Sequence, residues 1–256
     1  VIRRTFRMLS GVGPYTERRI WRAGVRDWDD FLGGGGVTFA SSARNTRWCA
    51  ELARWREALG RGDEKFFHGH LRAGEHWRLY DAFRDELACL DIETTGQAPP
   101  RDETTVVGVY RPGRGLVQLV AGVDLSGDAL DAALAGVKIL ITFYGAAFDI
   151  PFLRKEFSYL AFDFPHFDLC FAAKRLGIKG GLKKVERRFG IRREDDVAGL
   201  DGYDAVKLWQ AHRRGRRGAL ERLLKYNAAD TTNLKTLAEI IYGRLGTYAA
   251  GAAAAG

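Results

Sequence analysis

Asp91 and Glu93 are separated by a single residue, and the neighbouring positions Ala88, Leu90 and Ile92 are apolar. In an extended chain alternate side chains share a face. The two carboxylates would therefore project together at the end of a strand whose other face is apolar. Adjacent carboxylates repel and are costly unless a cation neutralises them. Alone, the pair fits an exposed strand end with two solvated acids better than a metal site. Asp149 follows a short loop containing Gly145, and taken by itself it would cap the helix that Pro151 introduces. Tyr226 and Asp230 are four apart, on one face of a helix and one turn from each other, with Thr231 and Thr232 beside the acid. Together, Asp91, Glu93, Asp149 and Asp230 form a set that can hold two Mg²⁺ or Mn²⁺ ions about 3.5–4 Å apart. Such a pair clamps a scissile phosphate, one ion making hydroxide from water and the other stabilising the leaving oxygen.

The elements that must position these groups are legible around them. Leu87 to Glu93 reads as a strand ending in a Thr-Thr-Gly turn, and Thr105 to Tyr110 as a second, β-branched strand. Pro112-Gly113 turns the chain into a third, Leu116 to Val120. A helical stretch at Ala129 to Leu134 precedes a buried strand at Val137 to Phe143, and a short strand is expected near Phe167. Helices are predicted at Pro151 to Phe157, Leu169 to Leu176, Leu182 to Phe189, Tyr203 to His212 and Ala219 to Leu245. Three strands joined by tight turns, then strands alternating with helices, give an α/β domain with a mixed sheet.

Ahead of this domain, residues 1–32 form a separate segment, followed by Gly33 to Gly36, read as a flexible connector. Residues 33–80 are then a glycine linker with connecting helices: Trp48, Leu52, Trp55 and Leu59 make one stripe, and Trp77, Tyr80 and Phe83 another. The α/β domain is placed at 81–246, and the Ala/Gly tail at 247–256 is expected to be disordered.

The 256 residues carry 46% apolar and 12% aromatic side chains, enough for a packed core and against wholesale disorder. Lysine and arginine exceed acids by eight, mostly as arginine, whose planar fork suits phosphate. A basic balance suits a polyanionic partner. Cys49, Cys89 and Cys170 are dispersed, which argues against a disulfide framework or a zinc ribbon and for a reducing, cytoplasmic setting. No charged-then-apolar leader opens the sequence, and the most apolar run, Ile139 to Phe148, is far short of a membrane helix, so no membrane association is expected.

The motifs, taken in order, resemble those of the DnaQ-like exonucleases of the ribonuclease-H-like superfamily. The match is best to the subclass named for four acids plus a tyrosine. Leu90-Asp91-Ile92-Glu93-Thr94-Thr95-Gly96 is similar to the first exonuclease motif, Gly145-Ala146-Ala147-Phe148-Asp149 to the second, and Tyr226-x-x-x-Asp230 to the third. The phrases Glu75-His76-Trp77-Arg78-Leu79-Tyr80 and Phe148-Asp149-Ile150-Pro151-Phe152-Leu153 resemble, more narrowly, the bacterial YprB-type exonucleases related to the proofreading domain of family B DNA polymerases. The resemblance implies a five-stranded mixed sheet with one antiparallel strand, flanked by helices. It implies Asp91, Glu93, Asp149 and Asp230 as metal ligands, Tyr226 orienting the attacking water without ionising, and Thr94 and Thr95 contacting the 3′-terminal nucleotide. The implied reaction is two-metal hydrolysis at single-stranded 3′ ends, DNA favoured over RNA, with repair as the expected setting. One departure stands out: Tyr144 occupies the position where the family usually carries Asn, so it would narrow the pocket, stack on a base, or blunt activity.

Further basic positions are candidates for the nucleic-acid backbone. Ser10 to Ile20 resembles a helix-hairpin-helix motif, in which Gly11 and Gly13 would expose backbone N–H groups to phosphate and Arg18, Arg19 and Arg22 add charge, as in duplex contact; a packing module built on Trp21, Trp28 and Phe31 fits as well. Lys183, Lys184, Arg187 and Arg188 on one helix, and Arg213, Arg214, Arg216 and Arg217 near a glycine-broken loop, could track a strand. His68 and His70 are placed in a loop and do not make a zinc site with His76; Asp168 reads as a cap. Two other functions fit the same residues: a non-catalytic nucleic-acid-binding module, and a structure-specific endonuclease.

Overall fold

The computed structural model describes residues 1–98 and 101–254, with side chains of the last helix described to Thr247. Five strands form one sheet: β1 (Leu87–Thr94), β2 (Thr104–Arg111), β3 (Gly115–Val120), β4 (Ile139–Thr142) and β5 (His166–Asp168). Their order is β3-β2-β1-β4-β5. β2 runs antiparallel to both β1 and β3, whereas β1, β4 and β5 are mutually parallel, so β2 is the one antiparallel strand. This is the expected α/β mixed five-stranded sheet flanked by helices.

The strand alternation of β1 divides the core. Ala88, Leu90 and Ile92 face a cluster with Leu130, Ile150, Phe152 and Leu153, whereas Leu87 and Cys89 face the other side. That other side meets Leu234, Leu237 and Ile241 of the C-terminal helix, together with Phe6, Trp28, Phe31 and Trp48 from the N-terminal region. The sheet faces are thus covered by α5 and α6 on one side and by the C-terminal helix on the other. α5 spans Gly127–Leu134, starting at the Ser126 cap, and α6 spans Asp149–Glu156.

The N-terminal region contains four helices: α1 (Pro14–Arg22), α2 (Trp28–Gly33), α3 (Ser42–Arg61) and α4 (Glu64–His70). Before the Gly11–Gly13 turn stands a 3₁₀ turn, Ile2–Arg4, rather than the α-helix a helix-hairpin-helix would place there. The four-glycine run is not a loose connector. Gly33 ends α2, Gly34 caps it, and Gly36, at φ 120°, lies so close to the Asn45 side chain that a Cβ would collide with it. Asn45 in turn accepts from Val37 N–H (3.1 Å) and donates to Val37 C=O (2.9 Å), closing the turn. His68 and His70 lie on the last turn of α4, not in a loop, and the Trp77 stripe forms a 3₁₀ segment, Ala73–Leu79, in place of the expected α-helix.

After the sheet come α7 (Leu169–Arg175), α8 (Leu182–Arg188), α9 (Asp195–Ala198), α10 (Gly202–Arg213) and α11 (Ala219–Ala254). The tail, expected to be disordered, instead continues α11 to Ala254, in keeping with the high helix propensity of alanine; residues 255–256 lie outside the described residues. No helix among the described residues is long and apolar enough to cross a membrane.

Candidate active site

β1, α6 and α11 converge where β1 ends. Asp91 and Glu93 lie on the face of β1 that α11 covers, and the β1–β2 register shifts between Glu93 and Thr94. Such an irregularity bends the strand and re-aims its last side chains. Asp91 is paired across the sheet with Gly108. A side chain at 108 would collide with Thr231 Oγ1 and Asn227 Oδ1, so the glycine is what lets α11 approach the sheet this closely.

The fully buried Asn227 uses that proximity. Its Nδ2 donates to Asp91 Oδ2 (3.1 Å), and its Oδ1 accepts from Gln118 Nε2 (3.0 Å). The side chain of Asp91 is thereby fixed by a residue on the helix that also carries Tyr226 and Asp230. Asp91, Glu93 and Asp230 each present a carboxylate oxygen, all within 4.8 Å of one another. Asp149, the first residue of α6, sits beside them; its Oδ1 accepts from Ile92 N–H at 3.2 Å and lies outside that set of three.

Burial sets the electrostatics. Glu93, Asp149 and Asp230 are 6%, 5% and 7% exposed. Desolvation, then the mutual repulsion of the acids, raises Asp91 and Glu93 well above the usual carboxylate range. Asp149 is pushed up to about 7, chiefly by burial. Asp230 is also raised by burial, against the pull of Arg193.

Two cations enter the cluster from α8 and the segment after it. Arg193 forms an ion pair with Asp230 and donates through Nε to Glu186 (2.7 Å), itself held by Asn233 (3.0 Å). Lys183 Nζ lies 3.1 Å from Tyr226 Oη and 4.4 Å from its ring centre. The ammonium can only donate, so the phenol oxygen accepts and the phenol proton is left to point elsewhere. Burial, followed by the nearby Asp230, holds the Tyr226 phenol far above its ordinary range, so it stays protonated.

The donor set fits divalent cations. Glu93 Oε1 is buried with no hydrogen-bond partner among the described residues, and Asp230 Oδ1 meets only the Arg193 guanidinium. Buried, hard, anionic oxygens crowded together are the ligands that Mg²⁺ and Mn²⁺ take.

The remaining predicted residues divide. Thr94 Oγ1 donates to Gly96 C=O, while Thr95 Oγ1 accepts from Glu103 N–H (3.0 Å), so both hydroxyls close the turn beside Glu93. Tyr144 stands on the loop leading to Asp149, half-exposed. Asp168 is the cap it was expected to be: it accepts from Tyr144 (2.9 Å), Ala146 (3.0 Å) and Cys170 (3.0 Å) backbone N–H groups. Lys184 is exposed on α8. Gly11, Gly13, Arg18 and Arg19 lie in the N-terminal layer; Arg19 packs its guanidinium 4.1 Å from the Phe39 ring centre. His68, His70 and His76 bond to the backbone carbonyls of Phe164, Phe66 and Leu71.

Sequence reasoning missed Asn227, Gly108 and Arg193. A lone glycine inside a β-branched strand is a signal of close backbone approach and could have exposed the first two. Arg193 sits in irregular chain among other arginines, with nothing in its spacing to single it out.

The family model of the RNase H superfamily matches residues 88–242, the sheet and every acid of the cluster. The chain belongs to the RNase H superfamily. Among solved structures, Brucella melitensis NrnC bound to pGG is similar to it, at 23% sequence identity over 69% of this chain and 82% of that chain, with a TM-score of 0.43. Comparison with curated proteins gives no match. Within the RNase H superfamily domain, β1, α6 and α11 are the parts that bring the acids together.

Proposed function

We propose that this RNase H superfamily protein is a metal-dependent 3′→5′ exonuclease that hydrolyses phosphodiester bonds at single-stranded nucleic-acid 3′ ends, DNA in preference to RNA. The observation that carries the reading is the convergence of Asp91, Glu93 and Asp230 within 4.8 Å, beside Asp149 and the Tyr226 phenol. Divalent cations held by these four acids would activate a water and stabilise the leaving oxygen.

The chain's own groups supply the rest. Asn227 fixes the Asp91 carboxylate in place. Lys183 donates to Tyr226, which leaves the phenol proton free to orient the attacking water. The Thr94–Gly96 turn shapes the floor for the terminal nucleotide. The exposed Lys184 is placed to meet the backbone, and Gly11, Gly13, Arg18 and Arg19 would meet a duplex.

A second reading, a nucleic-acid-binding module without turnover, is favoured by the Arg193–Asp230 ion pair, since an arginine on a ligand acid competes with a cation for it. One experiment separates the two: digestion of 3′- and 5′-labelled single-stranded DNA and RNA with Mg²⁺, Mn²⁺ or EDTA, wild type against Asp91→Ala. Metal-dependent shortening from the 3′ end, lost in the variant, supports the exonuclease. Binding without cleavage in either metal supports the module.

A further inference from the structure

Tyr144 is the one residue other than glycine with a positive φ among the described residues, at 70°. A bulky side chain is unfavourable there, and glycine or asparagine would adopt the conformation with less strain. The ring gains little from burial in return: it is 46% exposed. Strain of this kind persists only where the surroundings impose it. Here Asp168 imposes it, accepting from Tyr144 and Ala146 N–H groups, while Thr142 Oγ1 accepts from Gly145 N–H (3.1 Å).

The same Asp168 carboxylate caps α7 through Cys170 N–H, and the next residue on α7 is Phe171. One carboxylate therefore fixes the relative position of two aromatic side chains. Phe171 is also exposed, at 45%. The two ring centres are 5.9 Å apart and tilted by 38°, leaving ring surface open to solvent. Lys174, one turn further along α7, places Nζ 4.9 Å from the Phe171 ring centre and 5.7 Å from that of Tyr144. Beside this shelf opens a cavity of about 380 Å³ lined by Ala146, Phe171, Arg175 and Trp77, within the range of about 300–1,000 Å³ that ligand sites occupy.

We propose that Tyr144, Phe171 and Lys174 form a stacking subsite for one nucleobase of a single-stranded nucleic acid, internal to the 3′-terminal nucleotide, with Lys174 meeting the adjoining phosphate. This rests on the nuclease reading, since it assigns the strand leading into the same acids: Asp149 follows Tyr144 by five residues. Aromatic rings that accept a base face, flanked by a cation for the backbone, are the chemistry of sequence-tolerant single-strand binding. Thr94 and Thr95, at the end of β1 and in the turn after it, would serve the terminal nucleotide and leave this shelf for its neighbour.

The test is fluorescence anisotropy of 5′-fluorescein single-stranded DNA hexamers in EDTA, with one abasic site moved along the oligonucleotide, against wild type, Phe171→Ala and Tyr144→Asn. Circular dichroism melts verify that both variants fold. The expected result is one internal abasic position that weakens wild-type binding about 5- to 150-fold, the range of a single base–aromatic stack. That penalty disappears in Phe171→Ala, which binds the intact hexamer correspondingly less tightly. Intact hexamer bound equally by wild type and Phe171→Ala, or an abasic penalty that survives in the variant, overturns the proposal. Failure of the nuclease reading is separate: wild type with Mg²⁺ or Mn²⁺ would then leave the hexamer at full length, whatever the binding in EDTA.

Discussion

Arg193 and Asp230 form an ion pair inside the acid cluster, with the guanidinium 4% exposed and anchored from behind by Glu186. The four acids thereby face two cations, Lys183 and an Arg193 shared with Glu186, before any metal binds. Removing one partner of a buried pair leaves an uncompensated charge and costs about 3–5 kcal/mol. Arg193→Gln is expected to destabilise the metal-free protein by about that amount and to enlarge the stabilisation that saturating Mn²⁺ restores, because Asp230 loses its competitor. Thermal unfolding with and without Mn²⁺ measures both; an equal metal-induced shift in the two proteins would refute the competition.

The raised acids give the stability a definite pH sign. Burial pushes the Asp149 carboxyl up to about 7 in the folded protein, against an ordinary aspartate value of about 3.9 in the unfolded chain. Between those values the folded state holds a proton that the unfolded state has released, so stability contributed by this group falls as pH rises through the window. In EDTA, wild type is expected to lose more melting temperature between pH 5 and pH 8 than Asp149→Asn does. Mg²⁺ should reverse the slope by binding the ionised form. Parallel pH profiles for the two proteins in EDTA would show that Asp149 is not the group responsible.

Tyr226→Phe keeps the ring that packs against Lys183 and removes only the hydroxyl. Loss of a positioned proton donor lowers turnover by about 10²–10⁴-fold, with little change in the Kd for single-stranded DNA measured in EDTA. Lys183→Met, which releases the phenol oxygen from its donor, is expected to reduce kcat by a smaller factor. A Tyr226→Phe enzyme with wild-type kcat would remove the tyrosine from the mechanism.

Gly108→Ala tests the geometry that brings α11 to the sheet. A methyl group there meets Thr231 and Asn227 and must push the helix outward; overpacking of this kind costs about 1–3 kcal/mol. The displaced Asn227 would no longer hold Asp91, so metal affinity is expected to fall together with stability. Calorimetric titration with Mn²⁺ at a temperature where the variant is folded separates the two effects.

Tyr144→Asn should raise stability by about 1 kcal/mol by relieving the left-handed backbone while weakening single-strand binding. A melting temperature that rises as affinity falls is an outcome that simple loss of packing does not produce.

The fold was legible in this sequence because its strands are short and bounded by Pro-Gly and Thr-Gly turns, and because Glu93 and Asp149 stand at the ends of their elements. The alternation of Ala88, Leu90 and Ile92 with Asp91 and Glu93 was enough to place both acids on one face. What escaped has a common cause: it depends on neighbours distant in sequence. Asp91 is steadied by Asn227, 136 residues away. The glycine run at 33–36 looked unconstrained because the Asn45 side chain that fills the space beside Gly36 is not adjacent to it. The stripe of Trp77 and Tyr80 had helical spacing, yet tertiary packing against Tyr242 and Phe167 selected a tighter 3₁₀ turn.

α11 carries Tyr226, Asn227 and Asp230 along one stretch, and Leu234, Leu237, Ile241 and Leu245, buried in the core shared with the N-terminal helices, along the next. Peeling away that N-terminal layer would strip the second half of the helix of its apolar partners while the first half still held Asp230 against the repelling acids of β1. Calorimetry is accordingly expected to record a single cooperative transition. A chain shortened to begin near residue 81 is expected to lose Asp230 from the acid cluster along with its helix, the matched domain then depending on a layer that lies outside it.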